Sequence, residues 1–298
     1  MREQSLDSVQ EIEKIARNLL VEAKAWGRFP TPVDRIIQCA ELSIKNGVDL
    51  SQVDAGLFVK SANFFGRISR KVLGVIDFRA KTIYLDESQQ PKRKNFVTLH
   101  EIGHAVLPWQ SELLGCKDDE TTIVPEVKEL YEREASIFAS NSLFQVDRFD
   151  EEAGKLELGI RSARTVGNKF GGSVQAALRR YVERSRRRCS LLVLHRPEPS
   201  GPFRAKVRNY FESVSFEKAF GGLTWPEECG IEYPFVEDIH RKRRDHQDGQ
   251  IGITTMSLDY VTLRYHFFDN GYNVFVFLFP PGEKTASRIR IIPATDGK

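Results

Sequence analysis

The segment His-Glu-Ile-Gly-His at positions 100–104 constrains the fold of this chain more than any other. Residues four positions apart lie on one face of a helix, so His100 and His104 would point the same way. The surrounding residues 96–107 are mostly apolar, which predicts a helix that is buried on most sides. Two imidazoles and a carboxylate are costly to bury there unless something binds them, and a metal ion does so directly.

The spacing of these three side chains predicts zinc chemistry. His100 and His104 would bind one zinc ion, and Glu101 would lie beside its open coordination position. Zinc lowers the pKa of a bound water to about 7, and Glu101 could take that water's proton and pass it to a leaving amine. We therefore predict a zinc-dependent peptidase with Glu101 as its catalytic general base and acid. Manganese or iron are alternative metals, since histidine and carboxylate ligands suit several divalent ions.

The motif by itself is suggestive rather than decisive. The chain has only 6 histidines, and roughly one such chain in a hundred would contain the pattern by chance. The competing interpretation is three ordinary polar side chains on a half-exposed helix. The apolar residues on both sides of the motif favour the metal site over that interpretation.

A catalytic zinc ion needs a third protein ligand and one open position. The next helical stretch, residues 124–141, offers four glutamates: Glu126, Glu129, Glu132 and Glu134. On a helix, Glu132 shares a face with Ala135 and Ala139, whose small side chains would let two helices approach closely. We therefore favour Glu132 as the third ligand, with Glu134 as the alternative, and the other two glutamates fit solvated charges.

Two segments of the chain resemble the ImmA/IrrE family of zinc metallopeptidases. Residues 96–104 resemble the family's H-E-x-x-H helix, and residues 132–139 resemble its E-x-x-A-N-x-F-A helix. Ser136 stands where asparagine is usual, a departure that we do not expect to affect the metal. The family pattern implies that the first glutamate, Glu132, completes the ligand set with His100 and His104.

The resemblance covers the whole chain in layout, although its specific motifs lie only between about residues 70 and 145. It implies an α+β protein with three regions: a helical zincin-like metallopeptidase domain (1–152), a helix-turn-helix-like region (153–188) and a C-terminal GAF-like sensor or regulatory domain (189–298). It also implies a site-specific zinc endopeptidase that cleaves a helix-turn-helix repressor and so induces the response to radiation and DNA damage. GAF-like domains often bind small molecules, so the resemblance also points to a small-molecule ligand at the C-terminal domain.

Local patterns predict the elements around the metal helix. Helical spacing is present in residues 7–26 and again from Thr31 to Gly47, where the glycine would end the helix. Residues 72–78 and 82–86 predict a hairpin that could receive a substrate as an added strand, and a purely scaffolding hairpin is equally compatible. Residues 109–125 are expected to form a polar loop between the two metal helices.

Residues 156–186 have the pattern of a helix-turn-helix, with Gly171-Gly172 as the turn and Ser173 as a helix cap. Six arginines crowd the second helix and its end: Arg179, Arg180, Arg184, Arg186, Arg187 and Arg188. In DNA-binding helix-turn-helix proteins, the start of the second helix contacts the bases, and here only Gln175 offers a suitable side chain at that position. A solvated basic face or a docking surface fits better. A DNA-binding transcription regulator with a structural metal is the alternative function.

After Ser190 the pattern changes to strands. Residues 191–194, 261–268, 272–279 and 288–292 predict an antiparallel, aromatic-rich sheet, with Asp269-Asn270-Gly271 as a hairpin turn. This sheet is consistent with the GAF-like domain that the resemblance implies.

Composition bounds the remaining possibilities. A net charge of +3 is too weak to argue for nucleic acid, and no run of 18 apolar residues predicts a membrane span. Four scattered cysteines without a C-x-x-C pair indicate reduced thiols, and the N-terminus lacks the pattern of a signal peptide. We therefore expect a cytoplasmic protein without a membrane partner.

Overall fold

The computed structural model describes residues 2–48, 73–86, 88–116, 124–197, 203–241 and 243–283. Helices and strands are both abundant in them, which confirms the α+β class. The chain divides into two compact units: Met1–Phe149 with Val166–Ala176, and Asp150–Thr165 with Ala177–Lys298. The three-region organisation expected from the sequence stays a prediction. None of the helices in the described part of the chain is both long and apolar enough to span a membrane.

Five helices build most of the first unit: α1 (Arg2–Glu22), α2 (Val33–Cys39), α3 (Pro91–Val106), α4 (Pro108–Cys116) and α5 (Pro125–Leu143). Prolines start α3, α4 and α5, because the fixed φ of proline suits the first helical position and its missing N–H costs nothing there. Helix α5 packs against both α1 and α3, and α3 also packs against the neighbouring sheet. The helix that carries the His-Glu-Ile-Gly-His segment is therefore enclosed, as predicted.

The sheet of the first unit has three strands, in the order β1-β3-β2. Strand β1 (Ser43–Val48) runs parallel to β3 (Thr82–Asp86), and β2 (Gly74–Asp77) pairs antiparallel with β3. The predicted hairpin is confirmed in β2 and β3. The prediction of a helix as far as Gly47 is wrong, because α2 ends at Cys39 and the chain pairs with β3 from Ser43 onward.

The expected loop after the metal helix is also wrong in its first half. Pro108 does not merely follow α3, since it is the first residue of α4 (Pro108–Cys116). The residue before it, Leu107, has the extended backbone that a following proline favours (ψ 112°), so the chain turns there and starts a new helix. Residues 117–123 of the expected loop lie outside the described part of the chain.

Three helices follow: α6 (Arg148–Gly154), α7 (Ile160–Phe170) and α8 (Val174–Glu183). The predicted pair of helices around Gly171-Gly172 is confirmed in α7 and α8, and Gly171 has the positive φ (82°) that a glycine turn supplies. The Ser173 hydroxyl accepts a hydrogen bond from the backbone N–H of Ala176 at 3.2 Å, so the predicted cap is present.

The second unit contains a six-stranded antiparallel sheet in the order β6-β5-β4-β9-β8-β7. Its strands are β4 (Ser190–His195), β5 (Ala205–Glu212), β6 (Glu228–Cys229), β7 (Asp245–Thr254), β8 (Tyr260–Asp269) and β9 (Asn273–Phe279). Two short helices, α9 (Val214–Phe220) and α10 (Pro234–His240), lie between its strands in the sequence. Phe216 and Phe235 of these helices share one apolar core with Leu192, Tyr265 and Val276 of the sheet.

The predicted hairpin of the second unit is confirmed in β8 and β9. At its turn, Gly271 has a φ of 91°, and the Asp269 carboxylate accepts a hydrogen bond from the backbone N–H of Gly271 at 2.7 Å. The further strand predicted at residues 288–292 lies outside the described residues.

Candidate metal centre

Helix α3 places the two histidines of the motif one turn apart on one face. The Nε2 atoms of His100 and His104 lie 3.2 Å from each other. In a tetrahedral zinc site with Zn–N bonds of about 2.0–2.1 Å, two ligand nitrogens lie about 3.3 Å apart. The two rings therefore already have the spacing that one zinc ion requires.

Glu132 of α5 faces the two histidines. Its Oε2 lies 3.2 Å from Nε2 of His100, and its Oε1 lies 3.8 Å from Nε2 of His104. One ligand atom from each of the three residues can be chosen so that all lie within 4.8 Å of one another, and they form the single such group among the described residues. Oε1 of Glu132 is buried and has no hydrogen-bond donor in the described part of the chain. A buried carboxylate oxygen without a hydrogen-bond donor is what we expect of a metal ligand.

The close approach of α3 and α5 depends on a glycine and an alanine. A Cβ atom built at Gly103 would lie 3.2 Å from Cα of Ala135 and 3.1 Å from Cδ1 of Phe138. Any side chain at this position would push the two helices apart. The small-residue face that the sequence indicated on α5 is therefore the face that contacts the metal helix.

The environment of the two histidines makes them unequal. Burial works against a charged His100, but its hydrogen bond to Glu132 and the negative charges of Glu101 and Glu132 outweigh burial and raise its pKa. Burial lowers the pKa of His104 well below its usual value, and the charge of His100 acts in the same direction. His104 is thereby kept neutral, which is the form that binds a metal.

Glu101 lies next to this cluster and is almost completely buried, with 5% of its surface exposed. Its Oε2 has no hydrogen-bond partner among the described residues. Burial, assisted by the charge of Glu132, raises the pKa of Glu101 to about 7, against the opposing effects of His100 and the backbone of Ile76. A carboxylate with a pKa near neutrality is suited to act as a general base.

Strand β2 lies against the same glutamate. A Cβ atom built at Gly74 would lie 3.1 Å from Oε1 of Glu101, and the backbone of Ile76 forms a hydrogen bond with the Glu101 carboxylate. In the described part of the chain, β2 is at the edge of its sheet, with β3 as its neighbour. The hairpin indicated by the sequence therefore presents an edge strand beside the candidate general base.

A second group of residues contacts Nδ1 of His104, the ring nitrogen that does not face Glu132. Nδ1 of His104 lies 2.7 Å from Oε1 of Gln110, and Nε2 of Gln110 donates to the Glu134 carboxylate at 2.8 Å. The indole N–H of Trp109 donates to the same carboxylate oxygen at 2.7 Å. Glu134, the alternative ligand in the sequence prediction, is therefore hydrogen-bonded to two residues of α4 and does not belong to the three-residue cluster.

Sequence reasoning missed Gln110 and Trp109 because it assigned them to a loop. The available signal was Pro108, which fits the first position of a helix as well as the end of one. Ser136 also lies closer to the site than expected. Its Oγ is 3.3 Å from Nδ1 of His100, so the position at which the chain departs from the family pattern contacts a candidate ligand.

Comparison with known proteins gives a family match for the segment that contains this site. Residues 65–181 match the family model Peptidase_M78, described as the IrrE N-terminal-like domain. The match supports assignment of this segment to the IrrE/ImmA family, whose model is that of a metallopeptidase, and the segment includes all the site residues described above.

Among solved structures, a Mycobacterium tuberculosis transcriptional regulator is similar to the chain, with a TM-score of 0.54 and 12% sequence identity. The similarity covers 90% of this chain and 86% of that chain, and at this identity it shows a shared fold only. No curated protein sequence matches the chain significantly.

Proposed function

We propose that the protein is a zinc-dependent metalloendopeptidase. The observation that carries this proposal is the convergence of His100, His104 and Glu132 beside the buried carboxylate of Glu101, one oxygen of which has no hydrogen-bond partner among the residues that the structure describes. Two histidines and one glutamate form a ligand set that leaves a coordination position open, as catalytic zinc sites require. A structural zinc site would need a fourth protein ligand, and the group found in the described residues has three.

Each residue has one role in the proposed reaction. His100, His104 and Glu132 hold the metal, which when bound supplies a polarised water with a pKa of about 7. Glu101 accepts a proton from the attacking water at its free oxygen and later donates it to the leaving amine. The burial of Glu101 raises the pKa of its carboxyl in the metal-free protein, which favours its accepting and then returning a proton.

The edge of β2 is the proposed docking strand for the substrate. A peptide that adds to this edge as an extended strand would lie along Gly74 and Ile76, beside Glu101. The absence of a side chain at Gly74 lets β2 lie directly against Val97 and Glu101 of α3. This arrangement favours a substrate segment that is extended and accessible at the scissile bond.

The proposed substrate is a helix-turn-helix transcriptional repressor. This proposal rests on the resemblance to the IrrE (PprI) radiation-response regulator of Deinococcus, and it is compatible with the fold shared with a mycobacterial transcriptional regulator. Cleavage of the repressor would induce genes of the DNA-damage response. The antiparallel sheet of the second unit would then act as a GAF-like regulatory domain, with a small-molecule ligand of unknown identity.

The alternative function, direct DNA binding through α7 and α8, has less support. Three of the arginines around the end of α8 form ion pairs within the second unit: Arg179 with Glu183 at 2.8 Å, Arg184 with Asp150 at 2.9 Å and Arg188 with Glu283 at 2.8 Å. Arg180 is buried, and Arg187 donates to the Tyr181 hydroxyl at 2.9 Å. Phosphate contacts would have to replace these intramolecular bonds.

A cleavage assay tests the peptidase proposal. Zinc-loaded protein would be mixed with candidate helix-turn-helix repressors from the same genome, and fragments would be identified by mass spectrometry. The Glu101→Gln variant should keep the fold and the metal but lose cleavage by a factor of about 100 or more, because an amide cannot accept the proton. Glu129→Gln, the same change at an exposed position of α5, is the matched control and should cleave like the wild type.

Cleavage by the wild type and the control, but not by Glu101→Gln, would establish the activity, the substrate and the scissile bond together. Equal cleavage by Glu101→Gln would refute the role of Glu101. Steeply salt-dependent DNA binding that is lost on replacing Arg179, without any cleavage, would favour the alternative function.

A further inference from the structure

We propose that Gln110 and Glu134 form a positioning pair that fixes the tautomer of His104 and thereby sets the metal affinity of the site. The proposal rests on the metal site proposed above, but it concerns two residues that do not touch the metal or the substrate. Its test is metal affinity, which can be measured without knowing the substrate.

The hydrogen-bond chain has only one consistent direction. A carboxylate can only accept hydrogen bonds, so the side-chain group of Gln110 that lies 2.8 Å from Glu134 must be its NH₂ group. The amide oxygen of Gln110 must then face His104, where it lies 2.7 Å from Nδ1. His104 therefore carries its proton on Nδ1, and the lone pair of Nε2 points at His100 and Glu132.

Packing prevents Gln110 from turning over. Its side chain is completely buried, and its NH₂ group also lies 3.3 Å from the backbone carbonyl of Tyr131. Glu134 is 5% exposed, and the indole N–H of Trp109 holds the same carboxylate oxygen that Gln110 contacts. The acceptor behind His104 is thus fixed by several buried hydrogen bonds rather than by one exposed contact.

The two metal-binding histidines differ in this respect. Nδ1 of His100 has the Ser136 hydroxyl at 3.3 Å, a longer contact to a group that can both donate and accept. The Gln110–Glu134 pair allows one tautomer only, so we expect His104 to be the better oriented ligand. Loss of an outer-shell partner of a metal-binding histidine typically costs 10–100-fold in metal affinity.

The test is the zinc dissociation constant, measured by competition with a chromogenic chelator. Gln110→Ala should raise this constant about 10- to 100-fold. Ser111→Ala is the matched control, since it lies next in α4 and its hydroxyl donates to the carbonyl of Pro108, so it should bind zinc like the wild type. The melting temperature of each metal-free variant would be recorded beside its zinc affinity.

A pair of variants at Glu134 separates positioning from general destabilisation. Glu134→Gln keeps a side-chain oxygen that can accept from both Gln110 and Trp109, so the amide oxygen of Gln110 still faces His104. Glu134→Leu removes that acceptor, and Gln110 is then no longer held in one orientation. We expect Glu134→Gln to bind zinc within about threefold of the wild type and Glu134→Leu to bind it about tenfold more weakly. Equal zinc affinity of these two variants would overturn the proposal, also in the case that Gln110→Ala itself does not fold.

Zinc affinity of Gln110→Ala within threefold of the wild type would refute the positioning pair and leave the proposed peptidase intact. Failure of the wild type to bind zinc would instead refute the proposed function. The two failures are therefore distinguishable in one set of measurements.

Discussion

The contact between α3 and α5 at Gly103 leads to a prediction with a definite sign. Gly→Ala changes inside helices usually stabilise a protein, because alanine exceeds glycine in helix propensity by about 1 kcal/mol. At Gly103 the added methyl group would lie 3.2 Å from Cα of Ala135 and 3.1 Å from Cδ1 of Phe138. Normal carbon contacts are about 3.5–4.0 Å, so the helices must separate by a few tenths of an ångström.

Neither neighbour can move aside on its own. The Cα of Ala135 belongs to the backbone of α5, and Phe138 is completely buried. Overpacking of a well-packed core costs about 1–3 kcal/mol, and the middle of that range, about 2 kcal/mol, exceeds the gain in helix propensity of about 1 kcal/mol. We therefore expect Gly103→Ala to lower the free energy of unfolding by about 1 kcal/mol. Because His100 and His104 move with α3 while Glu132 moves with α5, zinc affinity should fall roughly tenfold as well.

Urea unfolding and a zinc competition titration measure the two effects. The matched control is Gly154→Ala at the end of α6, where a new Cβ would meet no described atom within 4 Å. There the same substitution should be neutral or stabilising by up to about 1 kcal/mol. The reasoning about helix contact would be refuted if Gly103→Ala were as stable as its control and bound zinc like the wild type.

Two further predictions concern Glu132, the proposed third metal ligand, and the half-buried His266. Zinc at a hundredfold excess over its dissociation constant should stabilise the wild type by about 2.7 kcal/mol. Glu132→Gln should lose most of that shift in thermal unfolding, and a full shift would exclude Glu132 as a ligand. Burial lowers the pKa of His266 to about 4. Between pH 6.5 and 4, therefore, only the unfolded chain takes up this proton, and the free energy of unfolding decreases as the pH is lowered. After discounting for the partial exposure of the ring, the contribution is on the order of 1 kcal/mol. His266→Asn keeps an acceptor for the backbone N–H of Ile160. The free energy of unfolding of this variant, measured with urea, should depend less on pH over this range. A pH dependence equal to that of the wild type would contradict this account.

The sequence was most informative where local geometry alone decides the outcome. A spacing of four residues puts His100 and His104 on one helix face whatever surrounds the helix, and the alanines after Glu132 marked the face of α5 that contacts α3. The hairpin turn at Asp269-Asn270-Gly271 is decided in the same way, because a glycine there can take the positive φ that the turn requires. These elements could be predicted from the chain without knowing its tertiary contacts.

The elements that were predicted wrongly depend on contacts distant in sequence. Strand β1 (Ser43–Val48) exists through its parallel pairing with β3, whose partner residues begin at Thr82. Helix α4 (Pro108–Cys116) is short, and its start is held by hydrogen bonds from Gln110 and Trp109 to α5. No local pattern reports such bonds, since tertiary contacts override weak propensities in short segments.

The two glutamates that the sequence could not fully separate have different tasks because of their spacing on α5. Glu132 and Ser136 are four residues apart, so both face α3, where one contacts the histidine Nε2 atoms and the other contacts Nδ1 of His100. Glu134, two residues from each, lies on an adjoining face and reaches His104 through Gln110 of α4. Helix α5 therefore supplies the third candidate ligand and supports both histidines. A displacement of α5 against α3 would disturb all three contacts together, which is why the contact at Gly103 should influence metal affinity as well as stability.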